Sequence, residues 1–137
     1  AIQQRLNIFE GDAETLRVCE EHHLASINRS PLAMGLLTGK FTAHTQFPKD
    51  DVRSTRFDFE KEKGEQLRML DAIRTILTQD GRSLAQAALG WLWARSPMTI
   101  PIPGFKTIAQ VEENSRAMDF GPLADTQMKQ IERVLRD

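Results

Sequence analysis

Tyrosine is missing altogether from this sequence of 137 residues. Its residues therefore cannot supply a phenolic proton donor. Cysteine is nearly absent: Cys19 stands alone, so no internal disulfide can form, which fits a reducing cytoplasm. No run of about 18 apolar residues occurs, so no membrane-spanning helix is expected. Nor is a signal peptide visible. Charge of one sign is not in excess: 18 Lys and Arg face 19 Asp and Glu, a formal net charge of −1. That balance gives no broad attraction to nucleic acid or to a membrane surface, and neither is expected as a partner. Internal repeats and low-complexity segments are lacking as well.

What is present is ordinary for a globular domain: 40% apolar and 27% charged residues. The length fits one domain or a large piece of one. The chain opens AIQQRLNIF, directly inside an apolar stretch and without an initiator methionine. We expect it to begin in the middle of a larger protein.

Residues 2–9 have the apolar scatter of a short strand. Gly11 and Asp12 make a turn, and Asp12 can cap a helix carrying Leu16, Val18 and Cys19 that ends near His22 and His23. Residues 24–30 read as a second strand, stopped by Pro31. Strand, helix and strand with short links suggest a βαβ unit in a parallel sheet. Residues 33–57 show little periodicity and are expected to be a long loop, of the kind that is commonly functional. Leu67, Leu70, Ile73 and Leu77 then recur at helical spacing. Ser83 opens another helix with a capping box to Gln86, and Trp91 and Trp93 on it suit packing. Residues 98–102 form a third strand candidate. Thr107 with Gln110 is a second possible capping box, and Asp125 is expected to cap a last amphipathic helix with Met128, Ile131, Val134 and Leu135 on one face.

The chemistry concentrates in residues 100–114, IPIPGFKTIAQVEEN. Gly104 lies between a strand and a helix start, where a glycine lets a ligand approach the backbone. The helix start offers free N–H groups and a partial positive charge, both suited to phosphate. Lys106 adds a full charge and Thr107 a hydroxyl. Gln110, Glu113 and Asn114 follow on nearly one helix face, with groups suited to a purine edge. From spacing alone a second reading stays open: a surface helix in which Thr107 and Gln110 merely cap each other.

This segment resembles the cofactor signature of the aldo-keto reductase superfamily, in which IPG, a basic residue and Ser or Thr are followed by Gln and then Glu-Asn. A second segment, SPLAMGLLTGK from Ser30 to Lys40, resembles the family's stretch after the seventh barrel strand, and Gln3-Gln4 resembles its Gln-Asn pair on the sixth. The likeness is collinear over essentially the whole chain. It implies an α/β fold, part of a (β/α)8 TIM barrel. Residues 1–137 would be the C-terminal portion of a single barrel domain: the last three βα units plus C-terminal helices.

The resemblance also implies site roles. Gln3 would hold a nicotinamide carboxamide. Ser30, Pro31, Leu32, Gly35, Leu37 and Lys40 would line the pyrophosphate path. Lys106 and Thr107, beside Gly104, would take the 2′-phosphate of NADP; Gln110, Glu113 and Asn114 would surround the adenine and its ribose. A basic residue beside a hydroxyl favours NADP over NAD. Arg29 stands where many members carry a stacking aromatic; arginine can stack on a planar ring or meet the cofactor's phosphates. Gln4 replaces the usual Asn.

The family's catalytic set is a tyrosine, a lysine, an aspartate and usually a histidine, all on earlier strands. No catalytic residue is therefore assigned, and the chain alone is expected to be inactive. The implied parent is an NADPH-dependent reductase of a small-molecule aldehyde or ketone; the alternative is a non-catalytic nucleotide-sensing regulatory subunit of the same fold. Three strands of a closed barrel would leave open edges, so self-association is a further expectation.

Other residues invite weaker readings. Adjacent His22 and His23 point to different helix faces and suit a solvated helix end, so no metal site is assigned. Cys19 suits a small core position, and Asp50-Asp51 a solvated loop. Arg53 and Arg56 are either part of a lid over the cofactor or plain surface.

Overall fold

The computed structural model describes residues 1–136. At its centre is a parallel sheet in the order β1 (Ile2–Arg5), β2 (Ser26–Arg29), β3 (Thr99–Pro101). Ile2 is in register with Ser26, and Ser26 with Thr99. Parallel neighbours need a crossover between them. The first crossover contains α1 (Ala13–Glu21). The second holds the 3₁₀ segment Ala33–Thr38, α2 (Arg53–Arg56), α3 (Glu62–Thr78) and α4 (Leu84–Arg95). α5 (Ile108–Phe120) and α6 (Asp125–Arg136) follow β3. The alternation expected from the sequence is present.

Several boundaries differ from expectation, each for a local reason. β1 stops at Arg5 rather than running to residue 9, because Asn7 turns the chain. Its backbone exchanges hydrogen bonds with Glu10 at 2.9 and 3.2 Å, and its side-chain oxygen accepts from the Phe9 N–H at 2.9 Å. Leu6 and Ile8 stay buried, which explains their strand-like pattern. Residues 33–57 are not wholly loop, since the 3₁₀ segment and α2 lie within them. Asp125 does not cap α6 but is its first residue. The Ala124 N–H donates instead to the Gln127 side chain at 3.0 Å, and Asp125 places its charge in the first turn.

The other caps form as read. Asp12 accepts from the Glu14 N–H at 3.1 Å, and Ser83 with Gln86 closes a full capping box. His22 is the C-cap of α1 and is exposed; Cys19 is fully buried.

α4 organises the core. Every residue from Leu84 to Leu92 is buried, as expected for a helix apolar all round. It packs against α3, α5, β3 and the 3₁₀ segment. Ala87 and Ala88 allow close approach, while Leu70, Ile73 and Leu77 of α3 and Ile131 of α6 complete the cluster. Trp91 is buried and Trp93 half-buried. The turn before α4 is tied to the end of α5 by the buried Arg82, which pairs with Asp80 at 2.7 Å and donates to the Gly121 carbonyl at 2.8 Å. That guanidinium also holds the Asp80 carboxyl below its ordinary range. Gly90 makes room for it: a Cβ there would lie 2.3 Å from Arg82 Nη1.

The sheet has two unlike faces. Ser26, Asn28 and Thr99 are buried under the helices, whereas Gln3, Arg29 and Ile100 on the other face are exposed. Among the described residues, the outer edges of β1 and β3 have no strand partner. No helix among them is long and apolar enough to cross a membrane.

Candidate nucleotide site

One wall of the site is the turn that follows β2. Ser30, Ala33 and Met34 hold φ of 53°, 51° and 57°. Three of the four non-glycine residues with positive φ among the described residues are therefore here, the other being His23. Left-handed backbone at an ordinary residue costs roughly 1–2 kcal/mol, so the surroundings must impose it. They do so from below. The Asn7 side-chain amide donates to the Ser30 carbonyl at 3.0 Å. The Gly35 and Leu37 N–H groups both donate to the Leu32 carbonyl, at 3.0 and 3.1 Å. Leu36 and Leu37 are fully buried anchors. Gly35 itself sits under the next segment, where a Cβ would lie 3.2 Å from the Phe41 ring.

The opposite wall comes from the loop after β3 and the first turns of α5. Thr107 Oγ1 accepts from the Gln110 N–H at 3.2 Å. Gln110 Oε1 accepts from the N–H groups of Lys106 and Thr107 at 2.6 and 3.3 Å. The capping box is thus real and uses those three donors. The N–H groups of Ile108 and Ala109, in the first helical turn, stay outside it, as does the exposed Lys106 ammonium. Gly104 has a telling environment. Its φ is not positive, and a Cβ would meet nothing within 4 Å. Neither backbone nor packing requires a glycine there, which leaves room for a ligand at the backbone.

Between the walls runs a cleft of about 540 Å³. It is lined by Ser30, Pro31, Leu32, Gly35, Lys40, Gly104, Lys106, Gln110, Glu113 and Asn114. Two stretches some seventy residues apart in sequence thus meet across one space. Four residues of the expected set do not line it. Gln3 lies on the uncovered sheet face, and Arg29 is exposed at the end of β2. The Thr107 hydroxyl serves the cap. Leu37 is fully buried in the core, and its N–H donates to the Leu32 carbonyl rather than into the cleft.

The sequence reading missed Met34, Thr38, Phe41, Ala85 and Phe105 as lining groups, and it left Arg53 undecided. Arg53 lines the cleft while Arg56 is exposed outside it, so the pair separates. Arg53 belongs to a strap of residues 41–59 built on Phe41, Phe47, Phe57 and Phe59, which meet mostly edge to face. Its guanidinium lies 4.6 Å from the Phe47 centroid and 5.4 Å from that of Phe41. It pairs with Asp51 at 2.6 Å and donates to the Met34 carbonyl at 3.3 Å. The Arg53 side chain, first, and its backbone N–H pull the Asp51 carboxyl down to about 2, with Lys106 adding a smaller attraction.

The free donors are the Lys106 ammonium and the helix-start N–H groups of Ile108 and Ala109 around an open backbone, which is chemistry for an anion such as phosphate, while the Arg53 guanidinium is already met by Asp51. Among the described residues no three metal-binding side chains come together.

The sequence profile of the aldo/keto reductase family matches residues 1–136. The chain belongs to that family. An NADP(+) aldo-keto reductase of Schizosaccharomyces pombe is 30% identical over 127 residues, which is 92% of this chain and 37% of that protein. A probable voltage-gated potassium channel subunit beta of Oryza sativa is 31% identical over 132 residues, covering 88% of this chain and 39% of its own length. The glycerol dehydrogenase structure from Gluconobacter oxydans superimposes with a TM-score of 0.83 at 33% identity, over 98% of this chain and 41% of that one. The chain therefore spans about two fifths of the length of these relatives. Its sheet and helices are part of an aldo/keto reductase TIM barrel, as the resemblance implied.

Proposed function

We propose that residues 1–137 are the cofactor-holding C-terminal part of an NADPH-dependent aldo-keto reductase. The observation that carries this reading is the cleft itself: the segments that resemble the family's pyrophosphate and 2′-phosphate stretches face each other across it. When bound, NADPH supplies the hydride that turns an aldehyde or ketone into an alcohol. In this chain Lys106 and the first turn of α5 hold the 2′-phosphate. Glu113, Asn114 and the free amide of Gln110 border the adenine and its ribose. The Ser30–Gly35 turn and Lys40 carry the pyrophosphate, and Gln3 and Arg29 stand toward the nicotinamide. The chain has no tyrosine, so the proton donor comes from outside it and the chain alone does not turn over. Exposed Ile100, Ile102, Phe105, Ile108 and Met118, together with the open edges of β1 and β3, suit surfaces that a complete barrel covers. In isolation the same surfaces favour self-association. We place the intact protein in the cytoplasm, on the single unpaired cysteine.

The test is calorimetric titration of the full-length polypeptide containing this chain with NADPH and NADH. Lys106→Ala should weaken NADPH by about tenfold or more and NADH far less. Gly104→Ala should leave stability within about 0.5 kcal/mol yet weaken NADPH. Equal effects of Lys106→Ala on the two cofactors would sink the assignment. A second reading, a non-catalytic nucleotide-sensing subunit, is favoured by the likeness to channel beta subunits. NADPH binding without consumption across many aldehydes would select it.

A further inference from the structure

At the carboxyl end of the sheet, Arg5 of β1 stands in register with Arg29 of β2. Register partners on adjacent strands share a face, about 5 Å apart at their backbones, and like charges placed so are destabilising. Both arginines rise from the uncovered face, two residues beyond Gln3 and Ile27, which are themselves in register. One charge is met internally. Arg5 Nη1 lies 3.5 Å from the Glu10 carboxylate, and Glu10 is held by the Asn7 amide at 3.1 Å. Arg29 is exposed and, among the described residues, has no ion-pair or side-chain hydrogen-bond partner. Within the described residues, a positive charge without a partner thus stands one residue before Ser30, where the cleft begins.

We infer that Arg5 and Arg29 form an anion-recognising pair that selects carbonyl substrates bearing a carboxylate or phosphoryl group. This rests on the reading of the cleft as a cofactor site. With the 2′-phosphate at Lys106, the other end of the cofactor lies toward Ser30 and the strand ends, and the substrate meets it there. The planar guanidinium fork matches a carboxylate or phosphoryl group through paired hydrogen bonds, and an anion between the two arginines relieves their repulsion. The competing occupant is the cofactor's own pyrophosphate, which the experiment separates.

The full-length polypeptide, loaded with NADP+, is titrated calorimetrically with benzoate, phenylphosphate and benzamide. One of the two anions should bind about tenfold or more tighter than benzamide, and which one does so names the preferred group. Arg29→Gln should bring that preference close to unity, a larger change than any it causes in NADP+ affinity, and Arg29→Lys should retain part of it. Arg5→Gln should lower the preference less, since Glu10 already meets half of the pair. Arg56→Gln, on the exposed end of α2, should change nothing. The inference is overturned if both anions bind no tighter than benzamide, or if Arg29→Gln weakens NADP+ while the preference persists. Because these readouts need no turnover, NADP+ binding without anion preference removes this inference alone. A failure to bind NADP+ removes the cofactor assignment and this inference with it.

Discussion

The two walls of the cleft are built in opposite ways. The Ser30–Gly35 wall is left-handed backbone at ordinary residues, held in place from the core by Asn7, Leu36 and Leu37. The α5 wall is relaxed, exposed and capped by its own side chains, Thr107 and Gln110. The first keeps its shape because packing elsewhere forces it; the second because local hydrogen bonds suffice. A rigid, strained wall suits a group gripped through its backbone path. A self-supporting helix start suits a charge met at the surface.

Leu36→Ala attacks the packed wall and should show the largest effect, about 3 kcal/mol in denaturant unfolding, because Leu36 is fully buried beneath the turn. Only the α5 wall should respond to Thr107→Ala. The lost cap costs about 1 kcal/mol, and hydrogen exchange should rise in the first turn of α5 but not at Ser30–Gly35. Uniform exchange changes in either variant would mean that the walls are one cooperative unit. The smallest effect lies between the walls, on the strap. The Asp51 carboxyl, lowered from 3.8 to about 2, lends its pairing fully above the ordinary value and loses it as pH falls through about 2. A carboxyl titration followed by NMR should find that midpoint near 2, and Arg53→Gln should return it toward 3.8.

The same contrast explains what could be read from the sequence. Local devices were legible: the capping boxes at Ser83 and Thr107, the Asp12 cap, and the helical spacing of Leu70, Ile73 and Leu77 all formed. So did the parallel order of the three strands. Long-range devices were not. Ser30, Ala33 and Met34 adopt left-handed backbone without a glycine to announce it, so only the fold reveals the turn. Phe41, Phe47, Phe57 and Phe59 share no single helical or strand period, and their cluster exists only once the strap has closed. Leu37 sits in a motif whose neighbours line the cleft, yet its side chain goes to the core, which a motif cannot tell apart. Leu6 and Ile8 are buried as strand residues would be, yet Asn7 between them is buried too and bends the backbone.

The register of the sheet also sets an order of events as the chain collapses, through the lengths of the loops it closes. Pairing Ile2 with Ser26 joins residues 24 apart, whereas pairing Ser26 with Thr99 joins residues 73 apart. Closing the longer loop costs roughly 1 kcal/mol more in chain entropy, before the folding of the intervening helices lowers that gap. The first βαβ unit therefore has the kinetic advantage, and with it the turn that grips from below. The cleft becomes a site only at the later closure, when β3 brings the α5 wall across from it. A chain arrested between the two steps would hold a ready-made grip with nothing opposite to complete it.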